Sequence, residues 1–127
     1  MIKFALDASA VLAMLRIEPG ADVVAALLPE AVISSVNLAE VVTKLVERGS
    51  TDEAVAEALQ TLNLQVVEFA SETASAAGLL RRATRSRGLS LGDRACLALA
   101  LERGLTAVTA DAAWVGAAAA PVQLIRP

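Results

Sequence analysis

The stretch Ile2-Lys3-Phe4-Ala5-Leu6-Asp7-Ala8-Ser9-Ala10 is a short apolar run that stops on an acid and resumes as small helix formers. Residues 2–6 have the length and branching of a buried strand. Residues 9–16 read as a helix, and Pro19-Gly20 then breaks the chain. The order is strand, acid, helix, and it places Asp7 at the carboxyl end of a strand.

The same alternation runs along the whole chain. Residues 21–28 form a second helical stretch that stops at Pro29, and 31–34 a second strand. Residues 37–48 form a helix with Leu38, Val41, Val42 and Leu45 on one face, and Gly49 stands where a terminating glycine belongs. Ser50-Thr51-Asp52-Glu53 has the form of a capping box for a helix reaching Leu62. A third strand covers 65–69. A long helix covers 71–87, with Gly88 as its stop, and another covers 91–103, closed by Gly104. Residues 106–109 form a fourth strand and 122–125 a fifth short one. The alanine-rich stretch 112–120 reads as a short helix or an irregular turn. Strands alternating with helices imply parallel pairing through right-handed crossovers. The expected fold is therefore a three-layer α/β/α sandwich around a parallel sheet of four or five strands, in one domain over residues 1–127.

The composition prunes the chemistry. The chain has 127 residues, no histidine, one cysteine and a net charge of −3. Without histidine there is no Ser-His-Asp triad and no His-ligated zinc site. Cys96 has no partner for an internal disulfide. No glycine-rich phosphate loop is present. No apolar run nears the roughly 18 residues of a membrane span, and no signal peptide is read at the start. A cytoplasmic protein with no membrane partner is the expectation. The net negative charge is unlike a general nucleic-acid binder. Arg81, Arg82, Arg85 and Arg87, however, fall in one short segment, either a solvated helix face or a local phosphate-binding patch.

Carboxylates are left to carry the chemistry. Asp7 and Asp111 each follow a strand, so they share one crevice if those strands are neighbours. Each also has a plainer role as a helix N-cap. Glu40 precedes Lys44 by four residues, the spacing of a surface pair worth about 0.2–0.5 kcal/mol. Asp93 opens a helix that is apolar on almost every side, so it lies near the interior. Its plainer role is to complement the helix dipole, worth about 0.3–1 kcal/mol. Four carboxylates gathered together repel, and a divalent cation removes the conflict. Mg²⁺ suits such oxygen ligands.

Four stretches, in this order, carry a family resemblance. They are Phe4-Ala5-Leu6-Asp7-Ala8-Ser9-Ala10, Ser35-Val36-Asn37-Leu38-Ala39-Glu40-Val41, Leu89-Ser90-Leu91-Gly92-Asp93-Arg94-Ala95-Cys96-Leu97-Ala98-Leu99-Ala100 and Val108-Thr109-Ala110-Asp111-Ala112-Ala113-Trp114. The chain resembles PIN-domain ribonucleases, and among them the VapC-type toxins of bacterial toxin–antitoxin pairs. The resemblance implies that Asp7, Glu40, Asp93 and Asp111 are the catalytic acids and bind Mg²⁺ or Mn²⁺. It implies hydrolysis of RNA phosphodiester bonds through a metal-activated water. Ser9 and Thr109 match supporting hydroxyl positions, Arg94 a phosphate contact, and Trp114 a packing anchor. RNA is the implied substrate, a cognate antitoxin the implied partner, and a homodimer the implied assembly. The alternatives are a non-toxin PIN nuclease, a PIN-like module that only binds, and a phosphatase with Asp7 as nucleophile. Ser9, where that last class carries a second aspartate, argues against it.

Overall fold

The computed structural model describes residues 1–127, and its central element is the strand that ends at Asp7. Strand β1 (Phe4–Leu6) runs into helix α1 (Ala8–Leu15), then α2 (Ala21–Leu27). Next come β2 (Ala31–Ser34), α3 (Ser35–Glu47), α4 (Asp52–Leu62) and β3 (Gln65–Val67). The chain continues through α5 (Ser71–Leu79), α6 (Arg81–Thr84), α7 (Leu91–Arg103), β4 (Thr106–Thr109) and β5 (Val122–Leu124). The five strands form one sheet in the order β3-β2-β1-β4-β5, and every pairing is parallel. The sandwich expected from the alternation is the fold observed.

Strand periodicity divides the core in two. Ala5 pairs with Val32 and Ala107 across the sheet, and these three face α7, packing with Leu97, Leu99 and Trp114. Leu6 pairs with Ile33 and Val108, and this row faces α1 and α3, packing with Val11, Ala13 and Val41. Successive residues of β1 thus serve opposite layers, as a pleated strand requires. Buried small residues let helices lie close: Cys96 and Ala100 bring α7 onto the sheet, and Ala98 faces α5. Trp114 is fully buried in the α7 layer, the packing role the resemblance implies.

The sheet reverses its winding at β1. From β1 the chain moves outward through β2 to β3, and it later fills the other side with β4 and β5. The carboxyl ends of β1 and β4 therefore flank the switch point, where open α/β sheets bind ligands. Asp7 leaves β1 at that point.

Two local expectations are corrected, and the open reading of 112–120 is settled. Residues 71–87 are not one helix: α5 ends at Leu79, α6 is a single turn, and residues 85–87 form a 3₁₀ turn. Thr84 Oγ1 takes the Leu80 carbonyl at 2.8 Å, a side-chain bond that bends helices. Arg81 and Arg85 also place like charges four residues apart, which disfavours continuous helix. Ser50 is not the cap of α4: Thr51 caps it, accepting from Ala54 N at 3.1 Å. Ser50 N instead donates to Leu45 O at 3.0 Å and closes the end of α3. The stretch 112–120 holds one 3₁₀ turn, Ala112–Trp114, and is otherwise irregular. No helix is long and apolar enough to cross a membrane.

Candidate active site

Asp7 is the most constrained acid in the chain. It follows Leu6 directly and is only 4% exposed. Its Oδ1 accepts from Ala10 N at 2.9 Å and from Ser9 Oγ at 2.7 Å. Its Oδ2 accepts from Thr109 Oγ1 at 2.8 Å. The plainer role therefore holds as well, because Asp7 caps α1. The two hydroxyls spend their single hydrogens on Asp7, so Ser9 and Thr109, 3.4 Å apart, are both oriented by it. They also accept from the chain after β4: Ser9 Oγ from Ala110 N at 2.9 Å, Thr109 Oγ1 from Asp111 N at 3.1 Å.

Burial pushes the Asp7 carboxyl up, from its ordinary 3.8 to about 6. The bonds from Ala10, Ser9 and Thr109 oppose this, and the charge of Asp93 adds to it. Ionised Asp7 is thus a buried charge whose three hydrogen bonds do not fully offset its desolvation.

Asp93 and Glu40 bear on the same region. The Cys96 thiol is buried one helical turn below Asp93 and is pushed up by burial first, then by the charges of Asp7, Asp93 and Glu40. Asp93 sits in the first turn of α7 and closes a capping box with Ser90, at 2.9 and 3.2 Å. Only its Oδ2 is used there. Glu40 does not pair with Lys44, which lies 3.5 Å from Glu47 instead. Glu40 Oε1 accepts from Asn37 Nδ2 at 2.8 Å, and its carboxylate rests against Gly92, where a β-carbon would clash.

Asp111 stands apart. Strands β1 and β4 are neighbours, but the Asp111 side chain is exposed and caps the 3₁₀ turn through Ala113 N at 2.9 Å. It reaches Asp7 only through its own backbone N–H and Thr109. Asp93 lies close enough for its charge to act on Asp7, Glu40 rests on Gly92 next to Asp93 in the chain, and Asp111 stays on the rim.

The donor set fits a hard divalent cation in a particular way. No three acidic or cysteine side chains are grouped so as to hold one ion. Glu40 Oε2, Asp93 Oδ1 and Asp111 Oδ2 each lack a bond from the chain, while the opposite oxygen of each is pinned. Mg²⁺ commonly takes only one or two carboxylates and completes its shell with water and phosphate oxygens.

The arginines divide. Arg81, Arg82 and Arg85 are exposed, and none pairs with an acid. Arg87 donates to Ala113 O and Val115 O, at 3.3 and 2.8 Å, and braces the turn beyond Asp111. Arg94 turns inward, donating to Ala77 O at 2.9 Å, so it ties α7 to α5. Sequence reasoning passed over Asn37 and Gly92. Their signals were an amide on the apolar face of a helix and a glycine in a first helical turn. Elsewhere, a cavity of about 90 Å³ lined by Val11, Ile33, Leu38, Leu59, Leu62, Leu64 and Val66 offers no polar group for chemistry.

The PIN domain family model matches residues 4–119. No curated protein matches the chain. Among solved structures, FitAcB from Neisseria gonorrhoeae superposes with a TM-score of 0.72 at 22% identity, covering 96% of this chain and 97% of that one. DNA-bound VapBC from Salmonella typhimurium gives 0.69 at 18%, covering 98% and 99%. VapBC-5 from Mycobacterium tuberculosis, a member of the VapBC family of toxin-antitoxin systems, gives 0.63 at 23%, covering all of both chains.

Proposed function

The chain belongs to the PIN domain family, and from that premise we propose that it is a metal-dependent endoribonuclease, the toxin of a toxin–antitoxin pair. The observation that carries the reading is Asp7: a buried, desolvated carboxylate at the switch point of the sheet, acted on by Asp93. The reaction is hydrolysis. A water oxygen bonds to phosphorus, one P–O bond to the sugar breaks, and the departing oxygen takes a proton.

A bound Mg²⁺ or Mn²⁺ supplies water activation and charge neutralisation at the phosphate. Asp7 offers a negative charge that cannot rotate away, since both its oxygens are tied. Glu40 and Asp93 each offer one oxygen free of the chain. Asp111, on the rim, would be the fourth acid of the site, with its Oδ2 free of the chain. Ser9 and Thr109 hold Asp7 in register with the turn after β4. The exposed Arg81, Arg82 and Arg85 supply the cationic surface for the RNA backbone. Arg87 and Arg94 are engaged with backbone carbonyls, so their part in RNA binding is secondary.

The antitoxin partner is proposed from the likeness to FitAcB and VapBC structures. A homodimer and a single domain over 1–127 belong to the same proposal. The test is sequencing of RNA 5′ ends after induced expression, against Asp7→Asn. New ends with the wild type alone, together with Mg²⁺- or Mn²⁺-dependent cleavage by the purified chain that a chelator abolishes, support the reading. Rescue by co-expression of the product of an adjacent short reading frame supports the partner.

A binding-only module is the second reading. It draws on the capping roles of Asp7, Asp93 and Asp111 and on the lack of any three-acid cluster. Calorimetry showing no Mn²⁺ uptake at millimolar concentration would favour it.

A further inference from the structure

Beyond the acids, we infer that Asn37 is a positioning residue, whose side-chain nitrogen straps the Glu40 carboxylate to the first turn of α7 beside Asp93. The inference rests on the metal-dependent reading above.

Asn37 has no exposed surface. Its Nδ2 has two hydrogens and uses both: one to Glu40 Oε1 at 2.8 Å, the other to Gly92 O at 3.0 Å. Both partners accept only, so the nitrogen must face them and the amide orientation is fixed. Its Oδ1 is then left buried with no partner. An unpaired buried oxygen costs stability, and an apolar residue of similar volume would avoid that cost. The position keeps asparagine because of what the nitrogen holds.

What it holds is held from two sides. Gly92 lacks the β-carbon that would overlap the Glu40 carboxylate. The strap draws that carboxylate down and the glycine gives it room, so a flexible side chain is fixed before any ligand arrives. The same contact ties α3 to α7 across 55 residues of chain. Glu40 Oε2 stays free of the chain, as does Asp93 Oδ1. Prearranged ligands bind more tightly because less side-chain freedom is lost on binding.

The experiment measures Mn²⁺ binding to the purified chain by calorimetry and urea unfolding by Trp114 fluorescence. Asn37→Leu is expected to weaken Mn²⁺ binding by about tenfold or more, the usual effect of an orienting partner, while the urea midpoint stays or rises. A purely structural role would lower both together. In a Glu40→Ala background the same change shifts affinity less than about twofold, because its target is gone. Asn37→Ala, should the leucine variant not fold, loses the same affinity with a lower midpoint, and that loss of affinity, unlike the loss from a purely structural role, shrinks below about twofold once the Glu40 side chain is removed. Wild-type affinity in the Asn37 variants, or an equal loss in both backgrounds, overturns the inference and leaves the nuclease reading standing. No Mn²⁺ uptake by the wild type overturns both.

Discussion

Thr109 Oγ1 donates to Asp7 Oδ2 over 2.8 Å and so joins the carboxyl ends of β1 and β4, 102 residues apart in the chain. Its oxygen accepts from Asp111 N in turn. One hydroxyl thus connects the buried acid to the rim acid.

Thr109→Val keeps the shape and removes the hydroxyl. Asp7 loses a bond to its charged form, and Asp111 N loses its acceptor. A hydrogen bond to a charged group is worth about 1.5–3 kcal/mol, and a neutral one about half that. The variant is expected to lose about 2–4 kcal/mol at pH 8 and less at pH 4, where Asp7 is protonated. Urea unfolding at both pH values, read on the buried Trp114, measures the difference. A loss that does not change with pH would remove Asp7 as the partner that matters.

Asp7 itself makes stability depend on pH with a definite sign. Its folded pKa of about 6 lies above the ordinary 3.8, chiefly through burial. The folded state therefore favours the protonated form. The stabilisation is complete below pH 3.8 and is lost as pH rises through 6. The shift corresponds to roughly 3 kcal/mol, taking 1.36 kcal/mol per pH unit. In chelator, the stability of the wild type relative to Asp7→Asn should fall by an amount of that order between pH 4 and pH 7. Adding Mg²⁺ at 100 times its dissociation constant should restore about 2.7 kcal/mol at pH 7, and only to the wild type. A flat difference across this range would mean that Asp7 is not desolvated.

Much of this was legible in the chain itself. Short runs of apolar and β-branched residues ending on Asp7 and Thr109 pointed to strands, and their alternation with helices to parallel pairing. What stayed hidden is long-range. Nothing near Glu40 says that its carboxylate lies on Gly92, because that contact depends on how α3 crosses α7. The spacing to Lys44 pointed to a surface pair, but Lys44 reaches Glu47 instead. Asp111 follows a strand and caps the turn after it, as Asp7 does, yet Asp7 is buried and Asp111 is exposed. Strand order brings two acids to one end of the sheet, and local hydrogen bonds then decide where each points. The break at Leu80 was hidden for the same reason, since one threonine hydroxyl outweighs good helix formers on both sides.

Gly92→Ala tests the seat of Glu40 without altering any acid. Gly92 is helical, and alanine is the better helix former by up to about 1 kcal/mol. A β-carbon there overlaps the carboxylate, so Glu40 must swing away and its bond to Asn37 must break. These effects on stability oppose one another, and the urea midpoint should move by no more than about 1 kcal/mol. The effects on the site add: RNA cleavage at fixed Mg²⁺ should fall by about tenfold to a hundredfold. Raising Mg²⁺ should recover part of the rate. Undiminished cleavage would show that Glu40 acts from elsewhere or not at all.

Arg81, Arg82 and Arg85 give the last prediction, in which binding separates from chemistry. All three are exposed and lack an acidic partner, so their loss removes no ion pair. Replacing them together with glutamine should leave stability within about 0.5 kcal/mol. If they track the backbone of single-stranded RNA, each displaced counterion contributes about 0.7 to the slope of log affinity against log salt. The triple variant should then show a slope shallower by about 2, a raised KM and an unchanged kcat, because the acids are untouched. A fall in kcat at constant KM would mean that these cations serve the reaction centre. An unchanged slope would mean that RNA is gripped elsewhere, and the cluster would then be only a solvated surface that breaks a helix.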